Sequence, residues 1–62
     1  MEIKLFHVDS LEYSGSIITK EKKWKYVNVA DAHLINMTSG MPLRAALACL
    51  ISFDLVYEIV DE

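Results

Sequence analysis

The sequence has one cysteine and two glycines among its 62 residues, and each shortage excludes a class of protein. A single cysteine, Cys49, excludes an internal disulfide. A lone thiol in an apolar segment is typical of a buried, inert side chain in a reducing compartment. Two glycines, Gly15 and Gly40, are too few for a loop that cradles phosphate. Disulfide-stapled scaffolds and glycine-loop nucleotide binders are therefore not expected.

Residues that bind metals or carry out catalysis are scattered along the chain. His7, Asp9, His33 and Cys49 are the candidate ligands, and no two of the histidines and cysteine have the short spacing of a structural metal site. Serines are present, but none lies in the kind of tight elbow that activates a nucleophile. We therefore expect a protein that is not an enzyme and binds neither metal nor cofactor.

A long apolar run is also missing. The apolar residues 45–53 are too few to span a bilayer, and a window over 41–60 brings in Arg44, Asp54 and Glu58, which are costly at membrane depth. Residues 1–8 lack the basic start, apolar centre and cleavage site of a signal peptide. These patterns predict a cytoplasmic protein without membrane contact.

Apolar side chains are abundant instead. They make up 53% of the chain, whose mean hydropathy is +0.26, and they are densest in residues 42–53. Pro42 suits the first turn of a helix, and the Ala- and Leu-rich run that follows has high helix propensity. On a 3.6-residue period Arg44, Ala48 and Ser52 share one narrow face, and larger apolar residues fill the others. We predict a main helix over 42–53 that must be covered on nearly every side.

The first half of the chain has the patterns of strands. Ile3 and Leu5 alternate with charged residues, which predicts a half-buried strand over 2–8. The segment Ser14-Gly15-Ser16 is the strongest turn signal in this half, and strand character restarts at residues 17–19. Residues 24–29, rich in aromatic and β-branched side chains, predict a further strand. Whether residues 20–23 turn or continue a strand stays open, and one long hairpin centred on Ser14-Gly15 is the alternative.

The second half predicts a short helix and a last strand. Residues Ala30, His33, Leu34 and Met37 have the spacing of one helix face, which predicts a short helix over 30–37. Residues 55–61 predict a strand with Leu55, Tyr57 and Ile59 on one inward face, although prolongation of the main helix stays open.

These segments together predict one α+β domain. We expect a small antiparallel sheet of three or four strands, formed mostly from residues 2–29 with 55–61 joining it, packed on the main helix at 42–53. A second short helix at 30–37 is expected to lie beside it.

Four of the six basic residues fall between positions 20 and 25 in a chain of net charge −3. Lysines interleaved with aromatic rings are what single-stranded nucleic-acid platforms use. The residues of this hypothesis are Lys20, Lys22, Lys23, Lys25 and Trp24, within the segment 20–26. The acidic balance of the whole chain disfavours nucleic acid, and lysines also protect strand edges from pairing.

The apolar surplus favours a protein partner. Burying one Leu, Ile or Phe side chain contributes about 1.5–3 kcal/mol, so the chain either covers its main helix itself or leaves a patch for another chain. Both alternatives stay open at this point. The residues predicted to contact a partner are Leu43, Leu47, Leu50, Trp24 and Tyr26.

The size and composition are those of compact intracellular proteins, many encoded by phages or mobile elements, that bind one larger host protein. We therefore expect a non-enzymatic protein-binding module, an inhibitor or regulator, that acts as a homodimer or docked on a larger intracellular protein. Its location would be the host cytoplasm if a phage encodes it. The alternative is a small nucleic-acid-binding protein that uses residues 20–26.

Overall fold

The computed structural model describes residues 1–60 and confirms the α+β class. Four strands form one sheet, and two helices and a 3₁₀ segment lie between the third and fourth strands. Their bounds are β1 Glu2–His7, β2 Tyr13–Lys20, β3 Lys23–Val27, α1 Ala32–Thr38, α2 Leu43–Cys49, the 3₁₀ segment Leu50–Phe53 and β4 Leu55–Val60. The predicted last strand is thus present, and residue 61 lies outside the described residues.

The strands are ordered β3-β2-β1-β4, and every neighbouring pair is antiparallel. The first and last strands are neighbours, with Glu2 opposite Val60 and Leu5 opposite Tyr57. β3 and β4 form the two edges of the sheet. The chain crosses from one edge to the other through the two helices, which cover one face of the sheet.

The turn predicted at Ser14-Gly15-Ser16 is wrong, because these residues lie inside β2. The chain reverses instead between His7 and Glu12, where the His7 N–H donates to the Glu12 carbonyl and the Leu11 N–H to the His7 carbonyl. Gly15 has φ +125° beside a β-bulge at which the β1–β2 register shifts. A Cβ at Gly15 would overlap Val29 Cγ2 and lie 3.1 Å from the Asn28 carbonyl oxygen. The glycine is therefore needed for a bulge and a close approach, not for a turn.

Residues 20–23 turn the chain. Glu21 and Lys22 have φ 54° and 70°, and Lys20 pairs with Lys23 on either side of them. Two consecutive positive φ values are those of the tight hairpin turn that matches strand twist. The turn forms here without the Asn or Gly that usually occupies it, because the cross-strand pairing of β2 and β3 requires it.

The short helix lies one or two residues later than predicted and turns a different face inward. The Asp31 side chain accepts hydrogen bonds from the backbone N–H of His33 and Leu34, which begins α1 at Ala32. Leu34 and Thr38 are its buried residues. His33 is exposed and Met37 is 52% exposed, so they do not form the inward face that the spacing suggested.

The main helix is shorter than the predicted 42–53. Pro42 has φ −59° and ψ 149° and precedes the first helical residue, Leu43. The α-helix ends at Cys49 and tightens into the 3₁₀ segment, which stops at Asp54 in the left-handed conformation, with φ 60°. Cys49 is half-buried, so the prediction of a buried thiol is wrong.

The core lies between one face of the sheet and the helices. The strands contribute Ile3, Leu5, Ile17 and Leu55, and the helical layer contributes Leu34 and Leu50. Side chains alternate between the two faces along each strand, so Lys4 and Ser16 lie on the face away from this core. Every residue of the core cluster is at most 4% exposed. The domain thus has a single small core on one side of its sheet.

Candidate protein-binding site

Side chains of the edge strand β3 are hydrogen-bonded to the helical layer. Trp24 Nε1–H donates to the Met41 carbonyl oxygen at 3.0 Å, in the segment between the helices. The Tyr26 hydroxyl bonds Thr38 Oγ1 at 2.8 Å, and Thr38 in turn donates to the Leu34 carbonyl within α1. Burial raises the pKa of the Tyr26 hydroxyl above its ordinary value. Both rings pack against the core, with their centroids 5.1 Å apart.

The lysines of this region project from the other face of the sheet. Lys25 pairs with Ile18 and Trp24 with Thr19, so Lys23 and Lys25 alternate with the inward-facing Trp24. Lys23 and Lys25 are therefore on the opposite face of β3 from the two rings. Lys22 lies in the turn before β3 and lines a surface groove together with Trp24 and Tyr26.

The opposite edge strand, β4, presents unpaired backbone groups. The Val8 N–H donates to the Asp54 carbonyl at 2.8 Å, which continues the β1–β4 ladder by one pair. Hydrogen-bonded and non-hydrogen-bonded pairs alternate along an antiparallel ladder. Val56, Glu58 and Val60 therefore bond to β1. Leu55, Tyr57 and Ile59 direct their N–H and C=O groups away from β1, towards the free edge.

Three large apolar side chains are exposed beside this free edge. Tyr57 is 46% exposed, Ile59 58% and Ile51, in the 3₁₀ segment, 65%. Tyr57 and Ile59 pair with Leu5 and Ile3, so they lie on the core-facing side of the sheet as predicted, but no helix covers them. Only Leu55 of this face is buried, and the prediction that all three residues point into the core is wrong. We call the free backbone of β4 together with Ile51, Tyr57 and Ile59 the β4 edge site.

A shallow apolar hollow adjoins the β4 edge site. It lies where the end of α2 and the 3₁₀ segment meet the start of β4, and its lining residues are Leu47, Leu50, Ile51, Leu55, Val56 and Tyr57. The hollow is next to the unpaired backbone of Leu55 and Tyr57. A strand that pairs with β4 can therefore place an apolar side chain in the hollow.

The structure brings only some of the predicted partner-binding residues together: Trp24 and Leu43 line one surface groove, and Trp24 and Tyr26 line another. Leu50 is 1% exposed and belongs to the core, while Leu43 and Leu47 are half-buried and pack against it. Trp24 and Tyr26 are also half-buried, at the far edge of the sheet. Ala46 is the one fully buried residue of α2, and the exposed large apolar side chains include Leu11 and Met37 as well as Ile51, Tyr57 and Ile59.

The histidines and Asp9, named above as candidate ligands, lie at the surface of the domain. His7 and Asp9 are exposed near the first turn, and the His33 ring packs 5.6 Å from the Phe53 ring. Within residues 1–60 no three His, Cys, Asp or Glu side chains are grouped so that they hold a metal ion. Neither helix of this part of the chain is long and apolar enough to cross a membrane.

Comparison with models of known protein families, with curated proteins and with solved structures finds no match to this chain.

Proposed function

We propose that this chain is a non-enzymatic protein-binding module that captures its partner by strand addition at the β4 edge site. The observation that carries the proposal is the coincidence of free backbone groups and exposed apolar side chains on one strand. Leu55, Tyr57 and Ile59 offer hydrogen bonds, while Tyr57, Ile59 and Ile51 offer apolar contact. In strand addition the main chain supplies affinity and alternate side chains supply specificity.

The chemistry of the surface favours a protein over a charged ligand. β4 has the sequence Leu-Val-Tyr-Glu-Ile-Val, with one charge in six residues. Aromatic side chains are enriched at protein interfaces, and charged ones are depleted at interface centres. A domain this small can inhibit or regulate a larger protein if it pairs with a strand edge of that protein and so blocks or stabilises the edge. We therefore assign it the role of an inhibitor or regulator in the cytoplasm, of the kind that phages and mobile elements encode.

The test compares the two edges of the sheet in one capture experiment. Wild type, Ile59→Lys and Lys25→Glu are immobilised, exposed to extract of the native host at low and high salt, and the bound proteins are quantified by mass spectrometry. Both replaced side chains are exposed, so each variant is expected to keep the fold, which circular dichroism checks. We expect a partner that wild type and Lys25→Glu retain, that Ile59→Lys loses at least tenfold, and that persists at high salt.

A different pattern contradicts the proposal. Recovery of nucleic acid that falls steeply with salt and is lost in Lys25→Glu would favour the lysine-rich hairpin. Equal capture by all three proteins would show that the contact lies away from both edges.

A further inference from the structure

We infer that, in protein not bound to its larger partner, the strand which pairs with β4 is β4 of a second copy, in an antiparallel register centred on Tyr57. The inference rests on the proposed function, because both use the β4 edge site. A symmetric pair uses one surface twice, so the surface must be complementary to itself. The backbone, the charge and the shape of β4 each meet this requirement.

The backbone restricts the possible registers. Residues that face each other across an antiparallel pair lie on the same side of the sheet, and the groups available for bonding belong to Leu55, Tyr57 and Ile59. Centring the two-fold axis on Tyr57 makes it a hydrogen-bonded pair with its own copy. Leu55 of each chain is then bonded opposite Ile59 of the other. All the free groups of these three residues find partners.

The charge of Glu58 selects among the registers. A shift that centres the axis on Glu58 would place two carboxylates directly opposite each other, in the closer, non-hydrogen-bonded kind of pair. Like charges in that position are destabilising. With the axis on Tyr57, Glu58 faces Val56 of the second copy instead. The sole charged side chain of β4 therefore opposes the Glu58-centred register and is compatible with the Tyr57-centred one.

The shape of the edge also fits a second copy. In this register Ile59 of the second copy lies opposite Leu55, beside the apolar hollow that Leu47, Leu50 and Ile51 help to line. The 58% exposed Ile59 of each chain thus gains cover from the other. The hollow exists where the helical layer stops short of the edge, and the second copy supplies the missing side chain.

The resulting assembly is closed. Two four-stranded sheets joined through β4 make one sheet of twice as many strands, whose outer edges are the two β3 strands. Each of these edges carries Lys23 and Lys25, and lysine on an edge opposes further strand addition. Pairing therefore ends at two chains and does not continue into a fibre.

Cysteine cross-linking tests the register. In a Cys49→Ala background, Tyr57→Cys is compared with its neighbour Val56→Cys, which keeps Glu58, under mild oxidation at micromolar concentration. Directly opposed residues of a hydrogen-bonded pair have Cα atoms about 5.5 Å apart, within disulfide range, whereas diagonal neighbours lie roughly 7–8 Å apart. We expect a covalent dimer from Tyr57→Cys and little or none from Val56→Cys. The reverse result would overturn the register.

Light scattering of unmodified protein tests the assembly itself. We expect twice the chain mass of 7.1 kDa at micromolar concentration, dissociation on dilution, and a single-chain mass for Ile59→Lys but not for Lys25→Glu. A dimer that persists in Ile59→Lys, or a wild type that stays single at every concentration, would overturn the inference. In the second case the proposed function still stands if capture of a host protein depends on Ile59, so the two failures are distinguishable.

Discussion

The two edge strands of the sheet differ in how far the helical layer covers them and in how much charge they carry. On β3, the inward rings of Trp24 and Tyr26 are covered by the helical layer and hydrogen-bonded to it, and the outward positions hold lysines. On β4, Tyr57 and Ile59 occupy the same inward side without cover, and the outward side has one charge. One edge is closed by packing and charge, and the other is left apolar and free.

The difference teaches that exposure here depends on position in the sheet more than on residue type. Ile3 and Ile59 face each other across the β1–β4 ladder on the same side of the sheet. Ile3 is fully buried in the core, and Ile59 is mostly exposed. Because the helical layer covers the inner strands and β3, an apolar residue on β4 beyond Leu55 remains available to another chain.

Truncating the aromatic residue of each edge should give the largest contrast. We expect Trp24→Ala to lower the free energy of unfolding by about 3 kcal/mol, the low end of the range for large aromatic residues, because Trp24 packs against the core and bonds Met41. Tyr57→Ala should change it by less than about 0.5 kcal/mol, as is usual at the surface. Urea unfolding at nanomolar concentration, where association is absent, measures both values. Equal losses would show that β4 is as firmly covered as β3.

Replacing each glycine by alanine tests the close packing of Gly15 against Val29. Gly15→Ala forces a Cβ against Val29, which follows β3, and it keeps a positive φ, so we expect a loss of about 1–3 kcal/mol. Gly40→Ala is the matched control, since it also has a positive φ but meets nothing within 4 Å. The free energy of unfolding of Gly40→Ala should fall only by the cost of a left-handed backbone at an alanine, about 1 kcal/mol. A larger fall in melting temperature for Gly40→Ala than for Gly15→Ala would contradict the close approach of Gly15 to Val29.

The smallest effect is expected at the turn that leads into β3, and it is a gain. Glu21→Asn with Lys22→Gly places residues suited to positive φ where φ is 54° and 70°. Relief of the strain should raise the free energy of unfolding by about 1 kcal/mol. The single variant Lys22→Ala removes the same lysine but keeps the left-handed backbone, and it should show no such gain. Association through β4 should be unchanged in all of these proteins, which separates the two edges.

Periodicity in the sequence was sufficient to predict the elements but not their ends. The alternation around Ile3 and Leu5, the aromatic run of β3 and the Ala- and Leu-rich helix are all present in the structure. The turns were not predictable, because Leu11, Glu21 and Lys22 take positive φ without being glycine or asparagine. Gly15, the clearest turn signal, is used for a bulge instead.

Less of the candidate site than of the fold could be predicted from the sequence. Alternation alone puts Lys23 and Lys25 opposite Trp24 and Tyr26, a signal that argues against interleaved stacking and is visible without a structure. It also places Tyr57 and Ile59 on the inward side of β4. Which strand forms an uncovered edge depends on the strand order and on where the helices lie, and both are properties of tertiary packing. The binding surface therefore became visible only with the fold.

The central position of β1 has a practical consequence. Because Glu2 pairs with Val60, the start of β1 and the end of β4 lie side by side, separated by the ordinary distance between paired strands. A unit whose first and last strands are neighbours can be grafted into a loop of another protein, or the start of β1 can be joined to the end of β4 and the chain reopened at residues 21–22. Such a circular permutant would keep every strand of the sheet.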